Sequence, residues 1–166
     1  MPTLQWALTC NRVITDRETN SVSYIDALEA FAVSSFPVPF PPVCVSTLWR
    51  RESSRDILHP RLRIENPSRK TIQTFEPSTP TPLSKQRHRL NVILGGAPIE
   101  SPGEYHIVIE QRVGESWRVA QTLPIDVSQL AADKTELKEP KPASKTRRQT
   151  KTVQQQHAAD GAKRRR

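Results

Sequence analysis

The chain has 166 residues, with 25 Lys and Arg against 17 Asp and Glu, which gives a net charge of +8 at pH 7. This length accommodates one folded domain and an extension, and no stretch approaches the roughly 20 apolar residues that a membrane-spanning helix needs. The two cysteines stand far apart in the sequence and in no metal-ligand spacing, which leaves a zinc site without support.

The charge is unevenly divided along the chain. Residues 1–130 carry 14 basic and 13 acidic side chains and every Trp, Tyr and Phe, whereas residues 131–166 carry 11 basic and 4 acidic ones. The first segment can bury a core, but the second has too few apolar side chains to offset the entropy of ordering it. We therefore predict a folded domain over residues 1–130 and a disordered basic C-terminal tail over residues 131–166.

Short apolar runs separated by turn clusters predict strands from the start of this domain. The first strand has Trp6, Leu8 and Cys10 on one face, and a polar turn follows at residues 15–20. We expect a second strand over residues 22–33, although propensity alone also allows a helical turn in its second half.

The segment at residues 36–42 contains four prolines and two phenylalanines. Proline cannot donate to a sheet ladder, so we expect a crossing segment or an edge, with Phe36 and Phe40 in the core. The alternative is an extended Pro-rich ligand that docks on a partner.

Alternation of apolar and polar residues predicts the remaining strands, which lie near residues 43–49, 61–65, 71–75, 90–94, 105–110, 117–119 and 125–127. The pattern is clearest in the segment 105–110, where Tyr105, Ile107 and Ile109 are expected to face the core and His106 to face solvent. About eight strands at this spacing are typical of an antiparallel β-sandwich in an all-β protein.

Several short motifs follow one another in a specific order between residues 4 and 127. They are Leu8-Thr9-Cys10 before a polar turn, the strand at 23–31, Phe36-Pro37, Pro41-Pro42 before Val43-Cys44-Val45, and the segments 90–94, 103–109 and 123–127. In this order they resemble a family of uncharacterised bacterial domains. The resemblance implies an immunoglobulin-like sandwich and no named activity. Asn11 departs from it, since this position is often acidic in such sequences, and the basic tail lies outside it.

Cys10 and Cys44 lie in apolar, strand-like settings. These settings predict buried, reduced thiols in a cytoplasmic protein. Residues 1–6 lack the basic leader and uninterrupted apolar core of a secretory signal, which agrees with that compartment.

No arrangement of residues predicts catalysis. Four carboxylates are close in sequence, but acidic residues beside a turn commonly bond the local backbone; they are Asp16, Glu18, Asp26 and Glu29. The histidines form no metal-spaced pair, and neither a nucleophile elbow nor a phosphate-binding glycine loop occurs. We predict a protein that is not an enzyme and that has no cofactor, no metal and no membrane partner.

Two sets of basic residues are candidates for binding. Those between Arg50 and Arg89 could share one face, although interleaved acids such as Glu52 and Glu65 favour a mixed, solvated surface. The candidate nucleic-acid residues of the tail are Lys141, Lys145, Arg147, Arg148, Lys151, Lys163, Arg164, Arg165 and Arg166. Such a tail attracts phosphates without reading sequence, and it has no aromatic residue for base stacking.

Two functions are consistent with this sequence. The first is a non-enzymatic binding or accessory module that recognises a protein partner through the sandwich. The alternative is a nucleic-acid-associated protein whose tail gives sequence-independent binding to DNA or RNA, although an acidic protein could also dock on the tail.

Overall fold

A computed structural model describes residues 1–131, which form an all-β domain. This part of the chain contains thirteen strands and no helix. The strands are β1 (Thr3–Thr15), β2 (Val22–Ala27), β3 (Ala30–Val33), β4 (Val38–Pro39), β5 (Val43–Arg50), β6 (Ile57–Leu58), β7 (Pro60–Glu65), β8 (Thr71–Phe75), β9 (Thr81–Pro82), β10 (Arg87–Leu94), β11 (Pro98–Ile99), β12 (Gly103–Val113) and β13 (Ser116–Gln129).

Nine of these strands form two sheets. The first sheet has the order β10-β5-β1-β2, and the second has the order β3-β13-β12-β7-β8. The remaining strands are two residues long and form the pairs β4–β11 and β6–β9. The predicted number of strands, about eight, is therefore too low, because two-residue strands are too short to show alternation.

Inward side chains from both sheets form one hydrophobic core. The first sheet contributes Val43, Val45, Trp49, Val92 and Leu94, and the second contributes Leu62, Ile64, Tyr105, Ile107, Ile109, Ile125 and Val127. Each such side chain stabilises the fold by about 1.5–3 kcal/mol when fully buried. The buried indole of Trp49 donates to the hydroxyl of Thr47 at 2.9 Å, so its polar atom is satisfied.

The proline-containing segment is part of the core, as the first of its two interpretations predicts. Phe40 is buried and packs edge-to-face against Phe31 and Tyr105, with ring centroids 5.6 and 6.4 Å apart. Its backbone N–H donates to the carbonyl of Ala97 at 2.7 Å, beside the β4–β11 pair. The ring of Phe40 thus packs the segment against two strands of the second sheet, β3 and β12.

The prediction of one strand over residues 22–33 is wrong, because this segment divides between the two sheets. Asp26 adopts a left-handed φ of 52°, and the chain leaves β2 after the next residue. The backbone N–H of Leu28 then donates to Thr9 of the first sheet, and the carbonyl of Glu29 accepts from Asp126 of the second. Alternation continues on both sides of the crossing, so the sequence does not reveal the change of sheet.

The predicted antiparallel arrangement holds for every strand pair within residues 1–131 except one. Strand β3 runs parallel to β13, with Ala30 opposite Asp126 and Val33 opposite Gln129. It is the one parallel pair within residues 1–131. The two strands are far apart in the sequence, so no short hairpin constrains them to be antiparallel.

His106 does not face solvent. The residue is 5% exposed, and Val108 and Glu110 on the same face of β12 are also buried. Strand β12 lies between β13 and β7, which place Pro124 and Glu65 directly opposite His106 on its two sides. Alternation predicts which face meets the core, but it cannot show that neighbouring strands bury the other face as well.

Candidate functional site

Strand β10 is an outer strand of the first sheet, and β5 is its one paired neighbour among residues 1–131. Its eight residues keep an uninterrupted antiparallel register with β5, from Arg87 opposite Arg50 to Leu94 opposite Val43. The other edge of β10 therefore presents a row of backbone N–H and C=O groups that no strand of this domain pairs. An edge of this kind can accept an additional strand.

The other outer strands are less suitable for strand addition. Strand β3 has four residues, and the pairing of β8 with β7 contains a register shift beside Glu65. Strand β2 ends beside Asp26, whose left-handed conformation disrupts the regular strand backbone. The edge of β10 is the longest regular one in the described part of the chain.

The side chains of β10 alternate between the core and solvent. Val92 and Leu94 are buried, whereas the residues on the opposite face are exposed, namely Arg87, Arg89, Asn91 and Ile93. Ile93 is 74% exposed, which is the largest exposure of any large hydrophobic residue within residues 1–131. The exposed face of this strand is therefore cationic at its beginning and apolar at its end.

This face continues across the first sheet, because residues directly opposite each other on paired strands share a face. Ile93 lies opposite Cys44, which lies opposite Cys10, which in turn lies opposite Ala27. This apolar row crosses all four strands. We refer to the face that carries it as the outer face of the first sheet.

The cationic end of the outer face is only partly neutralised. The guanidinium of Arg50 bonds the carboxylate of Glu52 at 2.9 Å, and this hydrogen bond lowers the pKa of Glu52. Within residues 1–131, no carboxylate lies within 4 Å of the guanidinium of Arg87 or Arg89. Two exposed positive charges therefore have no acidic partner within the described domain.

The basic residues between positions 50 and 89 do not share one face, so the possibility that the sequence left open is wrong. Arg61 and Arg63 belong to the second sheet, where both contact the buried Glu110 at 2.6 and 3.1 Å. Burial opposes ionisation of Glu110, but the hydrogen bonds from both arginines outweigh it, so the pKa of Glu110 is lowered.

The neighbours of this charge network hold it in place. Arg63 also bonds Glu65 at 2.6 Å, and the guanidinium of Arg61 lies 4.1 Å from the ring centroid of Trp117. Both arginines are thus engaged within the domain, in contrast to Arg87 and Arg89. The network is a structural element of the second sheet.

The four carboxylates near the first turn do not form a site. The carboxylate of Asp16 accepts hydrogen bonds from the backbone of Glu18 and Thr19 at 3.0 and 2.7 Å, which confirms the turn role. The bond from Thr19 lowers the pKa of Asp16. Glu29 instead lines an open cleft of about 390 Å³, together with Glu104 and Asp126.

The cleft shows no further sign of a ligand site. Glu104 contacts His106 at 2.6 Å, and nowhere in residues 1–131 do three or more His, Cys, Asp or Glu side chains converge as metal ligands. The same part of the chain contains no helix that is long and apolar enough to cross a membrane.

The candidate residues of the tail, from Lys141 to Arg166, lie outside the described residues. The strand edge and Ile93 are features that the sequence analysis missed. A signal was present at residues 90–94, where Ile93 breaks the alternation by placing an apolar side chain on the polar face. The open edge itself cannot be predicted from the amino-acid composition, since it depends on which strands become neighbours.

The chain belongs to a family of unknown function, DUF6941, whose model matches residues 5–128. The match begins within β1 and ends within β13, so it spans both sheets. The resemblance to an uncharacterised family is confirmed to this extent. No curated protein matches the chain.

Proposed function

We propose that this member of the DUF6941 family is a non-enzymatic binding module that recognises a protein partner through the first sheet. The open edge of β10, with Ile93 exposed beside it, is the observation that carries the proposal. A regular edge with unpaired backbone groups favours aggregation unless it is protected, and a partner strand satisfies those groups. A bacterial, cytoplasmic setting, expected from the sequence, is part of the same proposal.

An immunoglobulin-like topology is the second part of the proposal. Strands β1, β5 and β10 have the order of strands A, B and E of that fold, and β8, β7, β12 and β13 have the order C′, C, F and G. Tyr105, near the start of β12, donates its hydroxyl to the carbonyl of Ser101 at 3.0 Å. This bond supports the assignment, because a tyrosine corner at the start of strand F is typical of the fold.

The binding role is tested by comparing the partners of two single variants with those of the full chain. Ile93→Lys places a charge beside the open edge, whereas Val119→Lys makes the same change at a 59% exposed residue of the second sheet. Tagged full-length proteins are recovered from the native cells after nuclease treatment. We expect the wild type and the Val119 variant to retain the same proteins and the Ile93 variant to lose them. Equal recovery by all three proteins would contradict a role for this edge.

Sequence-independent binding to DNA or RNA through the tail is the second candidate function. It is favoured by the division of charge, since residues 131–166 carry 11 basic and 4 acidic side chains. Partners that disappear on nuclease treatment in the same recovery experiment would favour this function over a protein partner. Phosphate contacts of this kind weaken as salt rises.

A further inference from the structure

We propose that the binding partner supplies an extended acidic segment, which pairs with β10 as a fifth strand of the first sheet. The inference rests on the proposed binding role of this edge and specifies the chemistry of what it binds. Two independent properties of β10 support it, namely its free backbone edge and the order of its exposed side chains.

The free edge specifies an extended polypeptide. Strand β10 has a regular register along all eight residues, so a partner strand meets no bulge along its length. Main-chain hydrogen bonds would provide affinity in such a pairing, while the side chains would provide specificity. An antiparallel arrangement continues the pattern of the first sheet, in which every pair is antiparallel.

The exposed side chains of β10 indicate which residues the partner strand carries and in which order. Arg87 and Arg89 have no carboxylate partner within residues 1–131, and Ile93 follows on the same face. Opposite residues of an antiparallel pair share a face and interact. A matching strand therefore has an apolar residue opposite Ile93, then acidic residues four and six positions later, opposite Arg89 and Arg87.

The β10 strand of a second copy of the chain matches the exposed side chains of this edge less well than an acidic segment does. If two β10 strands paired about a twofold axis at Leu90, Arg89 of each copy would lie opposite Asn91 of the other. The two Arg89 side chains would then be diagonal neighbours, and no acidic residue of β10 would compensate them. Like charges at this spacing oppose pairing.

A nucleic acid would use only part of the surface. Phosphates could contact Arg87 and Arg89, but they would leave Ile93 without an apolar partner and the backbone edge unpaired. An acidic peptide is the ligand class that engages all three features.

The probe for this inference is a nine-residue peptide with the order Thr-Val-Thr-Thr-Thr-Glu-Thr-Glu-Thr, labelled at its N-terminus with a fluorophore. A scrambled peptide of the same composition controls for attraction to the basic tail, because both peptides carry the same charge. Binding to the full-length protein is measured by fluorescence anisotropy. We expect the ordered peptide to bind at least tenfold more tightly than the scrambled one.

Charge reversal then tests which arginines are used. The double variant Arg87→Glu/Arg89→Glu should lose the tenfold preference and gain a preference for the same ordered peptide with Lys in place of both Glu. The matched control is Arg17→Glu/Arg55→Glu, which reverses two exposed charges in loops outside β10 and should keep the wild-type preference. All four positions are exposed, and thermal unfolding confirms that each variant is folded.

Four outcomes would overturn the inference. The first is equal binding of ordered and scrambled peptides, and the second is a preference unaffected by charge reversal at β10. The third is binding of a short DNA duplex that is tighter than binding of the ordered peptide, is kept by the double control variant and is lost by the β10 variant. The fourth is a concentration-dependent dimer that Ile93→Lys abolishes. The wider proposal is judged separately. If Ile93→Lys loses its cellular partners while no ordered peptide binds, the edge is a binding site for another chemistry, and only the acidic segment is rejected.

Discussion

Cys10 and Cys44 lie directly opposite each other on strands β1 and β5, and both are free thiols. Burial raises the pKa of Cys10 and, with a further contribution from the neighbouring Cys10, raises the pKa of Cys44 to about 11. The prediction that both thiols are buried is confirmed. Their role in the row beside Ile93 is apolar packing, because a thiol with a raised pKa is a poor nucleophile at neutral pH.

We predict that neither cysteine reacts readily while the protein is folded. At pH 8, a thiol with a pKa near 11 is about one part in a thousand thiolate. Iodoacetamide should leave the mass of the folded protein unchanged, and it should add two groups to each chain in concentrated urea. A reductant should leave Tm unchanged. A fall of several degrees in Tm on reduction would reveal a disulfide.

Removal of the hydroxyl of Tyr105 should destabilise the domain. Tyr105→Phe deletes the hydrogen bond to the carbonyl of Ser101, and we expect a loss of about 1 kcal/mol. Tyr24→Phe is the matched control, because the Tyr24 hydroxyl is buried with no hydrogen-bond partner within the described residues. Its removal should be neutral or stabilising. Urea unfolding at pH 7 measures both changes, and equal effects of the two substitutions would count against the role of Tyr105.

Loss of the carboxylate of Glu110 should also destabilise the protein. Glu110→Gln leaves Arg61 and Arg63 without their shared anion, and the expected cost at pH 7 is about 2 kcal/mol. Glu115→Gln, at an exposed turn position, should change the free energy of unfolding by less than about 0.5 kcal/mol.

The effect of Glu110 should depend on pH in a defined direction. Its pKa is lowered in the folded protein, so its stabilisation is complete above the unfolded carboxyl pKa of roughly 4.3. It is lost as the pH falls through the lower, folded value. Urea unfolding at pH 7, 5 and 3 should therefore show that the wild type and Glu110→Gln converge towards pH 3. A difference that is constant with pH would rule out a contribution from the charge.

The domain should fold without the residues that follow it. The core side chains, and the partly buried ones packed against them, lie between Leu4 and Val127, and a chain ending at Ala131 keeps all thirteen described strands. We expect a cooperative unfolding transition with a Tm close to that of the full chain, together with β-type circular dichroism. Aggregation of the shortened chain, or a non-cooperative transition, would show that residues 132–166 contribute to folding.

Any general affinity for nucleic acid should reside after Leu130, because residues 1–130 have a net charge of only +1. Binding to duplex DNA should weaken with salt, with a logarithmic slope of about −0.9 per phosphate contacted. Removal of residues 131–166 should abolish most of the binding, and replacement of Lys163, Arg164, Arg165 and Arg166 by Gln should reduce it partly. If the shortened chain kept its affinity, the phosphates would be bound by the domain instead.

The strands with strong alternation were predictable from the sequence. Strand β5 begins at Val43 and β7 places Leu62 and Ile64 in the core, both as the pattern indicates. In β7, one face is apolar and the other is charged, so the pattern reports the direction of the core. In β5, the larger apolar side chains of Val43, Val45 and Trp49 lie on the inward face.

The features that depend on neighbouring strands were not predictable in the same way. The burial of His106 arises from the strands beside β12, and the division of the segment 22–33 arises at Asp26, where both halves still alternate. The candidate site has the same origin. Arg87, Arg89 and Ile93 become a surface only because β10 is the last strand of its sheet, and this is a property of topology.

The parallel pairing of β3 with β13 has a consequence for mechanical load. Because parallel neighbours run in the same direction, the start of β3 and the end of β13 lie at opposite ends of the pair. Tension applied between Ala30 and Gln129 therefore shears all four paired positions at once. The β12–β13 hairpin, pulled at its two open ends, would instead separate one pair at a time. The short β3 strand thus gives this domain a directional resistance to force.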